Sequence, residues 1–116
     1  VYSFPKTARL LDKAQYQAVF SSQQKISNDI ITVFVLKNQH DMARLGLAIS
    51  RKCTRQATKR NRIKRVIRET FRMTRHNLPA FDFVVTCKPA AVATTNVTLK
   101  TSFLTQLDKI CQQYAN

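Results

Sequence analysis

Apolar and polar positions along the chain follow two periods, and the switches between them predict the elements. Residues 1–11, VYSFPKTARLL, read as extended, with Pro5 barring an early helix. Asp12 and Gln15 stand at capping-box spacing, so each side chain can satisfy the backbone N–H at the other position. A short helix should follow, to about Ser21 or Ser22, with Tyr16, Val19 and Phe20 on one face. Residues 29–37, DIITVFVLK, are β-branched and almost continuously apolar, as suits a strand covered on both sides, with Phe34 pointing the same way as Thr32 and Leu36. The polar NQHD at 38–41 reads as a hairpin loop. Beyond it ARLGLAIS, 43–50, alternates: Leu45, Leu47 and Ile49 on one side, Arg44, Gly46, Ala48 and Ser50 on the other.

Period 3.6 takes over from about Ala57 to Arg75, and this long helix ends where His76, Asn77 and Leu78 run into Pro79. FDFVVTC, 81–87, is a further strand. Thr95 or Asn96 caps a last helix whose stripe of Leu99, Phe103, Leu107, Ile110, Cys111 and Tyr114 is core. No repeat, low-complexity tract or linker interrupts the pattern, so residues 1–116 are read as one α+β domain.

Charge changes this picture. Twenty Lys and Arg against six Asp and Glu leave a formal charge of +14, which favours a polyanionic partner. Eleven of the basic residues, with one acid, fall between positions 51 and 75. KRNRIKRVIR, 59–68, alone carries Lys59, Arg60, Arg62, Lys64, Arg65 and Arg68. On a helical wheel Ile63, Val66, Ile67, Thr70, Phe71 and Thr74 gather on one face, and Asn61, Lys64, Arg65, Arg68, Arg72 and Arg75 on another. Ordinary solvated faces mix signs, whereas here Glu69 is the sole acid at ion-pair spacing, to Arg65 and Arg72. Like charges a turn apart oppose the isolated helix, and guanidinium-rich runs match phosphate oxygens. The segment therefore reads as a nucleic-acid-binding face. Arg44, Arg51 and Lys52 are placed to add phosphate contacts.

Tyr16, Phe20 and Phe34 are the aromatic residues suited to stacking unpaired bases, although by spacing alone core is the better assignment for them. Catalytic chemistry finds little support: the acids are scattered singly, His40 and His76 lie in loop and helix-end positions, and no Gly-rich phosphate loop occurs. A protein-only nuclease would need clustered carboxylates. Cys53, Cys87 and Cys111 are odd in number and widely spaced, which predicts three reduced thiols rather than a disulfide framework or a zinc site. With no apolar run long enough to cross a bilayer and no signal-peptide core, a soluble, cytoplasmic protein without membrane contact is expected.

FPKTARLL at 4–11, YQAVF at 16–20, RLGLAISRK at 44–52, KRNRIKRVIRETFR at 59–72 and LPAFDFVVTCKP at 78–89 together resemble, in order and spacing, the protein subunit of bacterial ribonuclease P. The resemblance implies a ribonucleoprotein whose RNA subunit removes the 5′ leader of precursor tRNA with Mg²⁺ held mainly by RNA. This chain would then have no catalytic side chain, no metal ligand and no obligate protein partner. It further implies that the arginine-rich helix and its approach, Arg51, Lys52, Arg60, Asn61, Arg62, Lys64, Arg65 and Arg68, meet the catalytic RNA. Tyr16, Phe20, Phe34 and Lys88 would meet the single-stranded leader. The implied fold is an α-β sandwich with a mostly antiparallel four-stranded sheet, about three helices and an unusual left-handed βαβ crossover. TRQAT at 54–58 lacks the glycine frequent in the family before the basic run, and Tyr16 stands where Phe is common. A structural, ribosomal-type RNA-binding protein is the alternative that shares this charge and fold type.

Overall fold

The computed structural model describes residues 8–10 and 12–114. The extended reading of 1–11 therefore falls mostly outside the described residues. Arg9 does pair with Leu45 in a parallel bridge, and the Leu10 N–H donates to the Leu45 carbonyl at 2.9 Å. Helix α1 spans Lys13–Ser21 behind a complete capping box, in which the Gln15 N–H donates to Asp12 Oδ1 at 2.9 Å and the Asp12 N–H to Gln15 Oε1 at 3.3 Å. Ser22 closes the helix: its hydroxyl lies 2.7 Å from the Val19 carbonyl and 2.8 Å from that of Val35.

Strands β1 (Lys25–Ser27), β2 (Ile31–Lys37), β3 (Arg44–Leu47) and β4 (Phe81–Cys87) form one mixed sheet in the order β1-β2-β4-β3. β1 and β4 both run antiparallel to β2, and β3 runs parallel to β4. The hairpin expected at 38–41 is thus not a hairpin. β4, buried from Phe81 to Val85, takes the centre of the sheet, and the four-residue β3 is left outside it. Parallel neighbours need a long crossover, and α2 (Ala57–Thr74) supplies it. The hairpin that does form joins β1 to β2, where Asn28 Oδ1 accepts the N–H groups of Ile30 and Ile31 at 2.8 and 3.0 Å. β1 went unread because a strand of three mostly exposed residues carries no usable period.

One sheet face lies against α2 and α3 (Asn96–Tyr114), and the main core fills the space between, with Ile31, Val33, Val35, Phe83 and Val85 meeting Ile63, Ile67, Phe71, Phe103 and Ile110. On the other face α1 covers only part of the sheet, packing Val19, Tyr16 and Phe20 with Leu10, Val84, Phe34 and Leu36. A sandwich closed on one side and half-open on the other results. The long helix and β4 match their predicted spans to within a residue.

The cysteine expectation is corrected: Cys53 and Cys87 are joined by a disulfide with their Cα atoms 5.8 Å apart, and Cys111 is the free cysteine among the described residues. Sequence distance concealed the pair. Because β3 and β4 are parallel neighbours, chain leaving β3 arrives beside the last residue of β4.

Candidate nucleic-acid interface

Helix α2 carries the basic ridge. Ile63, Ile67, Thr70 and Phe71 are its buried residues, while Asn61, Arg65 and Arg68 are exposed and Lys64 is half-buried. Its first turn contains no acid and Gln56 provides no side-chain cap, so the positive end of the helix dipole adds to the charge of Lys59 and Arg60. Before it, Arg51, Lys52 and Arg55 surround an exposed basic hollow. Glu69, the ridge's acid, is bound to Arg72 at 2.8 Å, and that hydrogen bond, followed by the charges of Arg72 and Arg68, holds its carboxyl below the usual range. Among the described residues, Asn61, Lys64, Arg65 and Arg68 make no side-chain hydrogen bond or ion pair within the chain, which leaves them available to phosphate.

Other basic residues are engaged inside the molecule. Arg44, expected to add a phosphate contact, instead grips buried Asp82 with two bonds of 2.8 and 2.7 Å; Asn38 donates to the same carboxylate at 3.0 Å. The hydrogen bonding of Arg44 to Asp82 raises the Arg44 pKa further, and the pair is a structural clamp between β3 and β4. Arg75 also leaves the ridge, its Nε donating to the Ala43 carbonyl at 2.7 Å, and burial lowers its pKa. Arg62 turns toward α3: it donates to Asn96 Oδ1 at 2.6 Å and to the carbonyls of Val92 and Ala91 at 3.1 and 3.4 Å. Arg60 donates to the Thr54 carbonyl at 2.9 Å. For Arg60, Arg62 and Arg75 the sequence predicted a helix but could not show which carbonyls come within reach of them.

The second surface is the uncovered part of the sheet beside α1. Phe20 and Phe34 meet edge to face, with ring centroids 4.9 Å apart, and Lys25 Nζ sits 5.5 Å from the Phe34 ring centre. Both rings are half-buried, so they serve the small core under α1 and still present an edge to solvent. Past them the same face continues through Thr32, with Ser27 and Thr86 as its cross-strand partners. Ser27 and Thr32 share a 2.8 Å hydrogen bond. Lys88 lies at the end of this polar floor, its ammonium donating to the Asn28 carbonyl at 2.6 Å and to Ser27 Oγ at 3.0 Å. Lys25, Ser27, Thr32 and Thr86 are candidates that sequence reasoning missed. The alternation that put Thr32 beside Phe34 was a signal for one of them, but the unread β1 hid the rest.

Tyr16 joins the two surfaces. Its ring lies against Gly46, where an added Cβ would come within 2.8 Å of Cε2, and its hydroxyl accepts the Leu47 N–H at 3.1 Å. Together with Arg9, Lys64 and Arg68 it lines a hollow of about 200 Å³. The ridge and the cleft are therefore neighbours across the edge of β3.

Residues 4–111 match the family model described as Ribonuclease P. The ribonuclease P protein component of Thioalkalivibrio sulfidiphilus is 46% identical over 99 residues, covering 85% of this chain and 82% of the relative. That of Legionella pneumophila strain Corby is 39% identical over 114 residues, 98% of both chains. Among solved structures, the RNase P protein of Staphylococcus aureus superposes with a TM-score of 0.80 at 29% identity, covering 89% of this chain and 94% of that one. With a basic helix, a half-open sheet and sequence matches that extend across nearly all of its length, this chain belongs to the ribonuclease P protein family.

Proposed function

We propose that this chain is the protein that lets a catalytic RNA recognise and cut precursor tRNA, with the ridge on α2 held by the catalytic RNA and the cleft beside α1 holding the single-stranded 5′ leader. The observation that carries this reading is the adjacency of Tyr16, Lys64 and Arg68 around one hollow. It allows a strand in the cleft and an RNA on the ridge to approach each other with cations between them. In that role Arg51, Lys52, Arg60, Asn61, Lys64, Arg65 and Arg68 neutralise phosphates, Arg62 fixes the helix that bears them, Tyr16, Phe20 and Phe34 stack bases, and Lys88 holds the far end of the leader.

Cleavage itself is assigned to the RNA. Asp82 and Glu69 are each taken by a guanidinium, and no three His, Cys, Asp or Glu side chains converge among the described residues, so these residues make a poor cage for Mg²⁺. In this proposal the metal belongs to the RNA partner. This chain contributes positive charge that reduces repulsion between two polyanions, and with it the need for bulk cations. Among the described residues no helix is long and apolar enough to cross a membrane, and a cytoplasmic site of action suits the proposed substrate.

Reconstitution tests the reading: cleavage of a precursor tRNA by the cognate RNA at low Mg²⁺, with and without the chain. Stimulation of 5′-leader removal is expected. A chain that binds the RNA but leaves cleavage unchanged would instead be a structural RNA-binding protein.

A further inference from the structure

The groove between α2 and α3 is a large hollow outside the cleft beside α1. It has a volume of about 490 Å³, and Val66, Met73 and Val97 give it an apolar floor. Met73 is 46% and Val97 74% exposed, an unusual investment of apolar surface for a protein of this charge. Arg65, Arg72 and Lys100 rim the groove against the single acid Glu69. Arg65 and Lys100 have no ion-pair partner among the described residues, and Arg65 is continuous with the ridge. At one end, Arg62 holds the Asn96 amide oxygen at 2.6 Å, which leaves the amide N–H groups to meet an acceptor.

We propose that this groove receives one unstacked nucleobase of the catalytic RNA, with Arg65 and Lys100 on the flanking phosphates and the Asn96 amide at the base edge. A thioether and an isopropyl group are suited to the face of a planar ring. The floor is three side chains, enough for one ring but short of the long apolar row that an amphipathic helix lays into a groove. Acidic polypeptide is thereby disfavoured. The inference rests on the proposed role for α2 and adds to it a base contact outside the cleft.

The test uses the full chain and the cognate catalytic RNA, with binding measured across a salt series. Met73→Gln combined with Val97→Thr alters only exposed side chains, and a melting curve checks that the fold is retained. The double variant should bind the RNA about tenfold more weakly with an unchanged salt slope, because stacking and not phosphate contact is lost. Lys100→Ala should instead flatten the log–log slope by roughly 0.7 to 0.9. A photo-crosslinking phenylalanine analogue at position 97 should mark one nucleotide. A folded double variant that binds as tightly as the unaltered chain would overturn the inference alone, giving the groove to another ligand such as an acidic polypeptide, and so would crosslinks scattered along the RNA. Failure of the unaltered chain to bind the RNA would overturn the functional reading and this inference together.

Discussion

Tyr16 is a packing residue at the place where the proposed leader cleft meets the ridge. Its hydroxyl accepts the Leu47 N–H, and its ring lies on Gly46. Tyr16→Phe should therefore destabilise the fold by about 0.5 to 1.5 kcal/mol, the usual net value of such a hydrogen bond, while leader binding persists because the ring remains. Gly46→Ala acts on the same pair from the other side: a Cβ 2.8 Å from Cε2 must displace the ring, at a cost of about 1 to 3 kcal/mol. Chemical denaturation measures both values, and unchanged leader affinity in a folded Gly46→Ala protein would remove Tyr16 from the cleft. The sequence placed Tyr16 on the right face of its helix, yet nothing in it revealed that Gly46 makes room for the ring. A buried residue shows the same limit. Gln106, 1% exposed, donates to the Ile31 carbonyl at 3.1 Å while its own Oε1 finds no partner among the described residues. The Asn28 N–H also serves that carbonyl, so Gln106→Met should hold stability within about 1 kcal/mol or raise it, since the orphaned oxygen is removed.

At the scale of elements, α2 contains two kinds of arginine that one sequence pattern made look alike. Arg65 is exposed without an internal ion pair among the described residues, whereas Arg62 braces the segment Ala91–Val92 and the start of α3. Arg65→Ala should leave the melting temperature nearly unchanged and flatten the salt dependence of RNA binding by roughly 0.7 to 0.9 in log–log slope. Arg62→Ala should do the reverse, lowering thermal stability by breaking three hydrogen bonds and moving the slope little. If Arg62→Ala flattened the slope as strongly as Arg65→Ala, its assignment as a brace would fail. Elements with a strong local signal were legible: the Asp12–Gln15 box began α1, the apolar stripe fixed α2, and FDFVVTC gave β4 its span. What depends on distant pairing was not. The order of β2, β4 and β3 follows from which strand is apolar on both faces, and the Cys53–Cys87 link follows from that order. Thiol counting on the native protein without reductant should accordingly find one reactive cysteine of three. That cysteine, Cys111, should react slowly at neutral pH and faster as pH rises, because burial and then the nearby Asp108 raise its pKa.

For the whole molecule, a formal charge of +14 means that long-range attraction to RNA is unselective, so specificity must come from where stacking and shape restrict what the field has gathered. The cleft beside α1 is the place proposed for this. Phe20 supports Phe34 there and shares the small core with Val19 and Val84, which ties the stacking surface to the fold. Phe20→Ala should weaken binding of precursor tRNA in the reconstituted complex by about tenfold, the loss of one stacked base at roughly 1 to 3 kcal/mol. Mature tRNA has no leader to lose, so its affinity should be unchanged, and so should the salt slope for assembly with the catalytic RNA. The comparison separates recognition from damage: partial unfolding would weaken both tRNAs and the assembly together, whereas loss of a stacking platform affects the precursor alone. Equal loss for the two tRNAs in a folded variant would mean that the leader lies elsewhere. The half-open sheet face would then need another occupant, and the adjacency of Tyr16 to Lys64 and Arg68 would have to be explained by the ridge alone.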